Sequence, residues 1–213
     1  MTNPFHILQK HHLPNPKTLI QIGASGGQEL EDFIAAGITD ALLIEPLDMP
    51  FSVLQHRVQN IPTYVPSKAL VTSTNGKEFN FHIASNGGQS SSLLEPGDHL
   101  EAYPHVTFSD TIKLTGYRLD SLFAYLRTEK QIAFDTVDML YIDVQGAELY
   151  VLKGAGEILE NVKYIWTEIG TGSGYKGGAS YKDLIHYLDL FGYQLIYLEC
   201  GPNTFGDALF VKI

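Results

Sequence analysis

The chain has 213 residues, 44% of them hydrophobic and 18% charged, which suits one soluble globular domain with a sizeable core. Fourteen Lys and Arg face 24 Asp and Glu, for a net charge of -10, and no local basic cluster offsets the imbalance. That balance argues against broad binding to nucleic acid or to an anionic membrane, and favours a small neutral or cationic ligand.

The opening segment, MTNPFHILQKHH, lacks a basic stretch followed by a long apolar run, and no apolar stretch reaches the length of a membrane span. The expected location is therefore cytoplasmic. FHILQKHH reads as a short helix that PNPK ends. TLIQIG (Thr18–Gly23) reads as a buried strand, GGQELEDFIAAG (Gly26–Gly37) as a helix closed by Gly37, and ALLIEP (Ala41–Pro46) as a second buried strand. A helix over Met49–Asn60 tolerates Pro50 in its first turn. TYVPSKALVTS gives one or two strands, KEFNFHIAS (Lys77–Ser85) another, NGGQSSSLLEPGDH (Asn86–His99) a polar loop, and VTFSDTIKLTGY (Val106–Tyr117) an alternating strand.

RLDSLFAYL (Arg118–Leu126) reads as a short helix, DMLYIDV (Asp138–Val144) as a strand, and Gly146–Asn161 as one helical segment. VKYIWTEIG (Val162–Gly170) is a strand, and TGSGYKGGAS (Thr171–Ser180) a flexible loop at the ligand edge suited to act as a lid, with Tyr175 placed to stack on the ring of a bound ligand. The helix YKDLIHYLDLFG and the strand pair YQLIYLE and FGDALFVKI complete the chain. The lone Cys200 makes no internal disulfide and is expected to be a small buried residue near a strand end. Apolar strands alternating with helices imply an α/β fold: a mostly parallel sheet covered on both faces, closed by an antiparallel pair at one edge. The strand-rich stretch from Thr63 to Tyr117 decorates it, and residues 1–213 are expected to form one domain.

In such a sheet, ligands bind beyond the carboxyl ends of the strands. Gly23 ends the first strand, Ser25, Gly26 and Gly27 lead into the helix, and Glu45 follows Gly23 by twenty-two residues at the end of the second strand. A glycine turn plus an acid at that distance suits an adenosine cofactor whose ribose the acid binds. The dinucleotide pattern G-x-G-x-x-G fails, because Ser25 stands at its second glycine, and Glu29, Glu31 and Asp32 supply acids where a phosphate would favour Lys or Arg. These features favour S-adenosylmethionine, which carries a sulfonium. The expected cofactor residues are Gly23, Ala24, Ser25, Gly26, Gly27, Glu45, Pro46, Lys68, Ala69, Ser91, Asp143 and Val144. Ser67, Lys68 and Ala69 lie where an adenine edge would dock, and Asn86 and Ser90–Ser92 offer polar groups to cofactor or acceptor.

The most specific stretch is YIDVQGAELYVLKGA: Asp143 ends a buried strand, Gly146 allows a close turn, and Glu148 enters the next helix. This stretch resembles the signature of the FkbM family of methyltransferases, usually I-D-V-E-G-A-E followed by V-L-K-G-A. LIQIGASGGQE resembles the family's cofactor loop, LLIEP its second strand, SNGGQSSSL its serine-bearing loop and RLDSL the segment before the signature, so the likeness runs from Leu19 to Gly170. The resemblance implies a class I, Rossmann-like methyltransferase: a seven-stranded sheet with an antiparallel last strand, using S-adenosylmethionine to methylate a hydroxyl, often of a sugar or glycan. It implies cofactor contacts from Gly23, Ser25, Gly26 and Glu45, with Asp143 at the reaction centre. One residue departs from it: Gln145 stands where the family has glutamate.

Asp143 is the first candidate for a general base, with His99 and Glu168 as further catalytic candidates. Asp143, Glu168 and His99 also form the less favoured arrangement in which a divalent metal is held. The expected partner is a sugar or glycan hydroxyl acceptor, with neither nucleic acid nor a membrane span; a homodimer is compatible with the chain. Two alternatives stand beside this reading: a nucleotide-cofactor oxidoreductase, against which the broken glycine pattern argues, and a non-catalytic cofactor- or glycan-binding module, which Gln145 keeps open.

Overall fold

The computed structural model describes residues 3–200 and 205–213. Helix α1 (Pro4–Lys10) is capped by the Asn3 side chain and leads to strand β1 (Thr18–Ile22), helix α2 (Leu30–Ala36), strand β2 (Asp40–Ile44), helix α3 (Asp48–Val58) and strand β3 (Tyr64–Ser67). The short β4 (Leu70–Val71), β5 (Glu78–Ala84), α4 (His99–Ala102), β6 (Phe108–Tyr117) and α5 (Leu119–Thr128) follow. The chain closes with β7 (Met139–Ile142), α6 (Glu148–Gly154), α7 (Ile158–Asn161), β8 (Tyr164–Gly170), α8 (Tyr181–Asp189), β9 (Tyr193–Cys200) and β10 (Phe205–Lys212).

Seven strands form one sheet in the order β3-β2-β1-β7-β8-β10-β9. All neighbours are parallel except β10, which runs antiparallel to both β8 and β9. The expected mostly parallel seven-stranded α/β sheet with an antiparallel last strand is therefore present. The stretch expected to decorate it divides: β3 joins the main sheet, whereas β4, β6 and β5 form a separate three-stranded sheet.

Alternation along the central strands supplies both cores. Ile20, Ile22, Leu42, Ile44, Leu140 and Ile142 pack on one face against Leu119 and Phe123 of α5, Val151 and Leu152 of α6, and Leu184 and Leu188 of α8. Leu19, Ala41, Leu43, Met139 and Tyr141 point the other way, onto Phe5 and Leu8 of α1, Phe33 of α2 and Leu54 of α3. Burial on both faces explains why these strands read as continuous apolar runs.

Three local expectations are corrected. The helix expected from Gly26 begins at Leu30, because Ser25 (φ 45°) and Gly27 (φ 79°) take left-handed conformations that a helix cannot contain. The helical segment after β7 is split into α6 and α7 at Gly156 (φ 51°). Cys200 is an exposed free thiol on the edge strand β9, not a buried residue. Among the described residues, no helix is long and apolar enough to cross a membrane.

Candidate active site

The strand register sets the site. Ile22, Ile44, Ile142 and Thr167 lie side by side across β1, β2, β7 and β8. The next residue on each strand is Gly23, Glu45, Asp143 and Glu168, so three carboxylates and one glycine form a row at the carboxyl edge in the order Glu45, Gly23, Asp143, Glu168. The chain order reverses between β1 and β7, which is where a doubly wound sheet opens a crevice. A Cβ on Gly23 would lie 1.7 Å from the Asp143 carbonyl oxygen, so only glycine lets the β1 turn pass beside β7.

A cavity of about 480 Å³ opens over this row, within the range of small-molecule sites. Four carboxylates line it, those of Glu29, Glu45, Asp143 and Glu168, and among its lining residues there is no Lys or Arg. Burial pushes the carboxyls of Asp143 up to about 6 and Glu45 up to about 7, and raises Glu168 well above the usual range, where Asp143, Glu148 and Asp207 add repulsion. The wall is therefore rich in acids short of positive partners.

Neutral donors hold these acids. The Gln145 Nε2 group donates to Asp143 Oδ1 at 2.7 Å and to Glu168 Oε2 at 2.9 Å. Tyr175 donates its hydroxyl to Gln145 Oε1 (3.0 Å) and to the Ser90 carbonyl (2.8 Å), which fixes the amide so that its NH2 faces the two acids. Gln145 has φ 57° and Gly146 φ 91°, and a Cβ at Gly146 would meet the Tyr175 ring at 2.8 Å. Glu148, raised to about 7 by burial, accepts from the amides of Val144 and Gly146 and braces that turn. Glu45 accepts from the amides of Ser25 (2.9 Å) and Leu47 (2.8 Å).

The expected site residues fall into two groups. Gly23, Ser25, Glu45, Pro46, Ala69, Ser91, His99, Asp143, Val144 and Glu168 line the cavity. Ala24, Gly26, Gly27 and Lys68 lie outside its lining. Ala24 is buried in the core beneath α2 and α3, a Cβ on Gly27 would strike Leu30 and Leu54, and Lys68 turns outward to pair with Asp48. The amides of Gly23 and Ala24 donate to the Ile44 carbonyl, and Gly27 to that of Ala24, so much of the glycine turn is satisfied internally. Asn86 and Ser90 line the cavity but also hydrogen-bond each other, while Ser91 and Ser92 accept from the amides of Ala84 and Leu94.

Tyr175 is not an exposed stacking residue: it is 1% exposed and its loop is tied to the site. His99 is 2% exposed and sits against the rings of Tyr103, Phe108, Tyr175 and Phe205, with centroids 5.0–5.9 Å away. Burial, then nearby His105, lower its pKa, and its Nδ1 has no hydrogen-bond partner. Asp143, Glu168 and His99 are not brought into a metal-holding cluster; among the described residues no group of three or more His, Cys, Asp or Glu is so arranged. Gln28, Tyr103, His105 and Phe205 line the cavity without having been expected there, and Glu29, one of the acids noted beside the glycine turn, lines it as well. The acids after Gly27 were the signal that pointed to Glu29; nothing local marks Phe205, which β10 brings in from the far end of the chain.

Comparison with known proteins agrees with this architecture. The 2-O-methyltransferase NoeI of Sinorhizobium fredii (strain NBRC 101917 / NGR234) is 28% identical over 127 residues, covering 57% of this chain and 49% of that protein. The chain thus spans about half the length of this curated relative. The methyltransferase FkbM from Methylobacillus flagellatus KT superposes with a TM-score of 0.58 at 15% identity, over 92% of this chain and 44% of that one. TrmK of M. capricolum, solved with S-adenosyl-homocysteine, superposes with a TM-score of 0.51 at 12% identity, over 98% and 68%. At these identities the two structures speak for the fold. The family described as the methyltransferase FkbM domain matches residues 15–195, and the chain belongs to that family.

Proposed function

We propose that residues 1–213 form one methyltransferase domain that uses S-adenosylmethionine to methylate a hydroxyl, of a sugar or glycan. The observation that carries this is the cavity wall: four carboxylates and no Lys or Arg, at the switch point of a methyltransferase-family sheet. A dinucleotide pyrophosphate would enter that field unfavourably, whereas a sulfonium and an amino group relieve it. Glu45 would hold the ribose hydroxyls through lone pairs left by its two amide bonds, and Ala69, Leu70 and Phe81 would pack the adenine. The relative described as a 2-O-methyltransferase supports a hydroxyl acceptor.

When held by Glu45 and the glycine turn, S-adenosylmethionine would supply an electrophilic methyl group for the acceptor oxygen, with the C–S bonding pair leaving on sulfur. Asp143 takes the hydroxyl proton: raised to about 6 by burial, it is ionised at neutral pH yet more basic than a surface carboxylate. Burial raises Glu168 well above the ordinary carboxylate range, and repulsion from Asp143, Glu148 and Asp207 adds to it. Gln145 and Tyr175 fix the direction of Asp143. Incubation with S-adenosylmethionine and neutral sugars, analysed for methyl ethers by mass spectrometry, tests this. O-methylated sugar is expected; cofactor binding with no methyl ether formed on any sugar contradicts it.

A further inference from the structure

Beyond the row of acids, one end of the cavity is built from rings. His99, Tyr103, His105 and Phe205 all line it. Their ring centroids form a connected cluster: His99 to Tyr103 5.0 Å, His99 to Phe205 5.9 Å, Tyr103 to Phe205 6.2 Å, and Tyr103 to His105 6.3 Å. Val106 and Leu93 line the same cavity. His99 lines this end, and its buried Nδ1 has no partner within the protein, a costly state for a ring nitrogen beside a cavity. Rings beside carboxylates and a lone imidazole nitrogen match a pyranose, which offers C–H faces to stack and hydroxyls to donate and accept.

The charge around this end is one-sided. Glu29, Glu45, Asp143 and Glu168 face the cavity, and burial favours the neutral form of His99. Nearby cations are engaged elsewhere: Lys68 pairs with Asp48, Lys176 with Glu95, and Arg57 donates to the Gly26 and Gly27 carbonyls. A pyrophosphate, phosphate or carboxylate on the acceptor would find like charge and no bidentate partner.

We propose that the end of the cavity walled by His99, Tyr103, His105 and Phe205 is the acceptor subsite, and that it takes an uncharged sugar ring and rejects sugar nucleotides, sugar phosphates and uronic acids. This rests on the methyltransferase reading above. It also places the reaction in sequence: glycosyl transfer, which discards the nucleoside diphosphate, precedes methylation.

The test is a turnover assay with S-adenosylmethionine, reading S-adenosyl-homocysteine release. The panel holds methyl glycosides of neutral hexoses and deoxyhexoses, the matching uronic acids, and nucleoside diphosphate sugars. Calorimetric binding of S-adenosylmethionine is measured alongside. At least tenfold higher kcat/KM for a neutral glycoside is expected. His105 is exposed, and His105→Arg is expected to narrow that ratio by admitting anionic sugars; Tyr103→Ala is expected to raise the acceptor KM about tenfold with cofactor affinity held within twofold. A preference for the sugar nucleotide or the uronic acid overturns the proposal. So does cofactor binding without turnover of any neutral glycoside. Failure of S-adenosylmethionine to bind overturns the methyltransferase reading itself, and this proposal with it.

Discussion

The two ends of the β7–β8 pair carry the same chemistry to opposite results. At the amino end, Asp138 meets Lys163 at 2.8 Å and accepts from the amides of Lys17 (2.8 Å) and Thr18 (3.3 Å). Burial works to raise its pKa, but those partners outweigh it and hold the carboxyl below its ordinary range. At the carboxyl end, Asp143 and Glu168 share one neutral amide, and burial prevails. A carboxylate with its cation in place ties strands together; carboxylates without one are set to receive a cation from outside.

Asp143→Asn should give the largest break in this contrast. The asparagine keeps the shape but cannot take the proton, so kcat is expected to fall about 10²–10⁴-fold. Cofactor affinity by calorimetry should change little. Unchanged turnover would remove Asp143 from its role as base.

Gln145→Glu restores the residue usual in the family and puts a further acid where Asp143 and Glu168 now find a donor. Loss of that amide should cost roughly 1–3 kcal/mol of stability without ligand. The loss in Tm should be greater near pH 8 than near pH 5, because acid neutralises the repulsion. An equal loss at both pH values would count against it.

The unsubstituted protein should show a related pH dependence. Folding raises Asp143 to about 6 and Glu45 and Glu148 to about 7, from roughly 4 in unfolded chains. Protonated, these groups add stability that is fully present below the unfolded values and lost as pH rises through about 6–7. The groups facing Asp143 (Glu29, Glu45, Glu148, Glu168, Asp207, Tyr141 and Tyr175) include no cation. The Tm without ligand should therefore decline over this window, and S-adenosylmethionine should raise it most above pH 7. A flat profile would contradict the charge deficit.

Asp138→Asn should have the smallest effect, about 1–2 kcal/mol near pH 7, since its partner Lys163 is 64% exposed. Asp138 is depressed on folding, so its stabilisation is present above the unfolded value and lost as pH falls through the folded one. The variant should narrow the gap in Tm between the unsubstituted protein and itself under acid, with turnover unaffected. A large drop in turnover would erase the division between the two ends.

Strand periodicity made the sheet legible, because both-face burial leaves continuous apolar runs that glycines and short helices punctuate. Glu45, Asp143 and Glu168 were legible as strand-end acids for the same reason. The purpose of Gly23 was only half visible: its turn pointed to a ligand, but the contact that demands glycine is with Asp143, 120 residues away. The loop Thr171–Ser180 read as a flexible lid because five glycines lie in or next to it. Tyr175 instead anchors it through Ser90 and Gln145, long-range bonds that no local pattern encodes. Lys68 read as a cofactor residue from its place after β3, yet a charged side chain beside an exposed aspartate turns to solvent.

A calorimetric titration with S-adenosylmethionine, set against NAD under the same conditions, tests the central claim that this acid-walled cavity is made for a cationic adenosyl cofactor. Saturable binding of S-adenosylmethionine with no binding of NAD is expected. Binding of NAD in its place would contradict it.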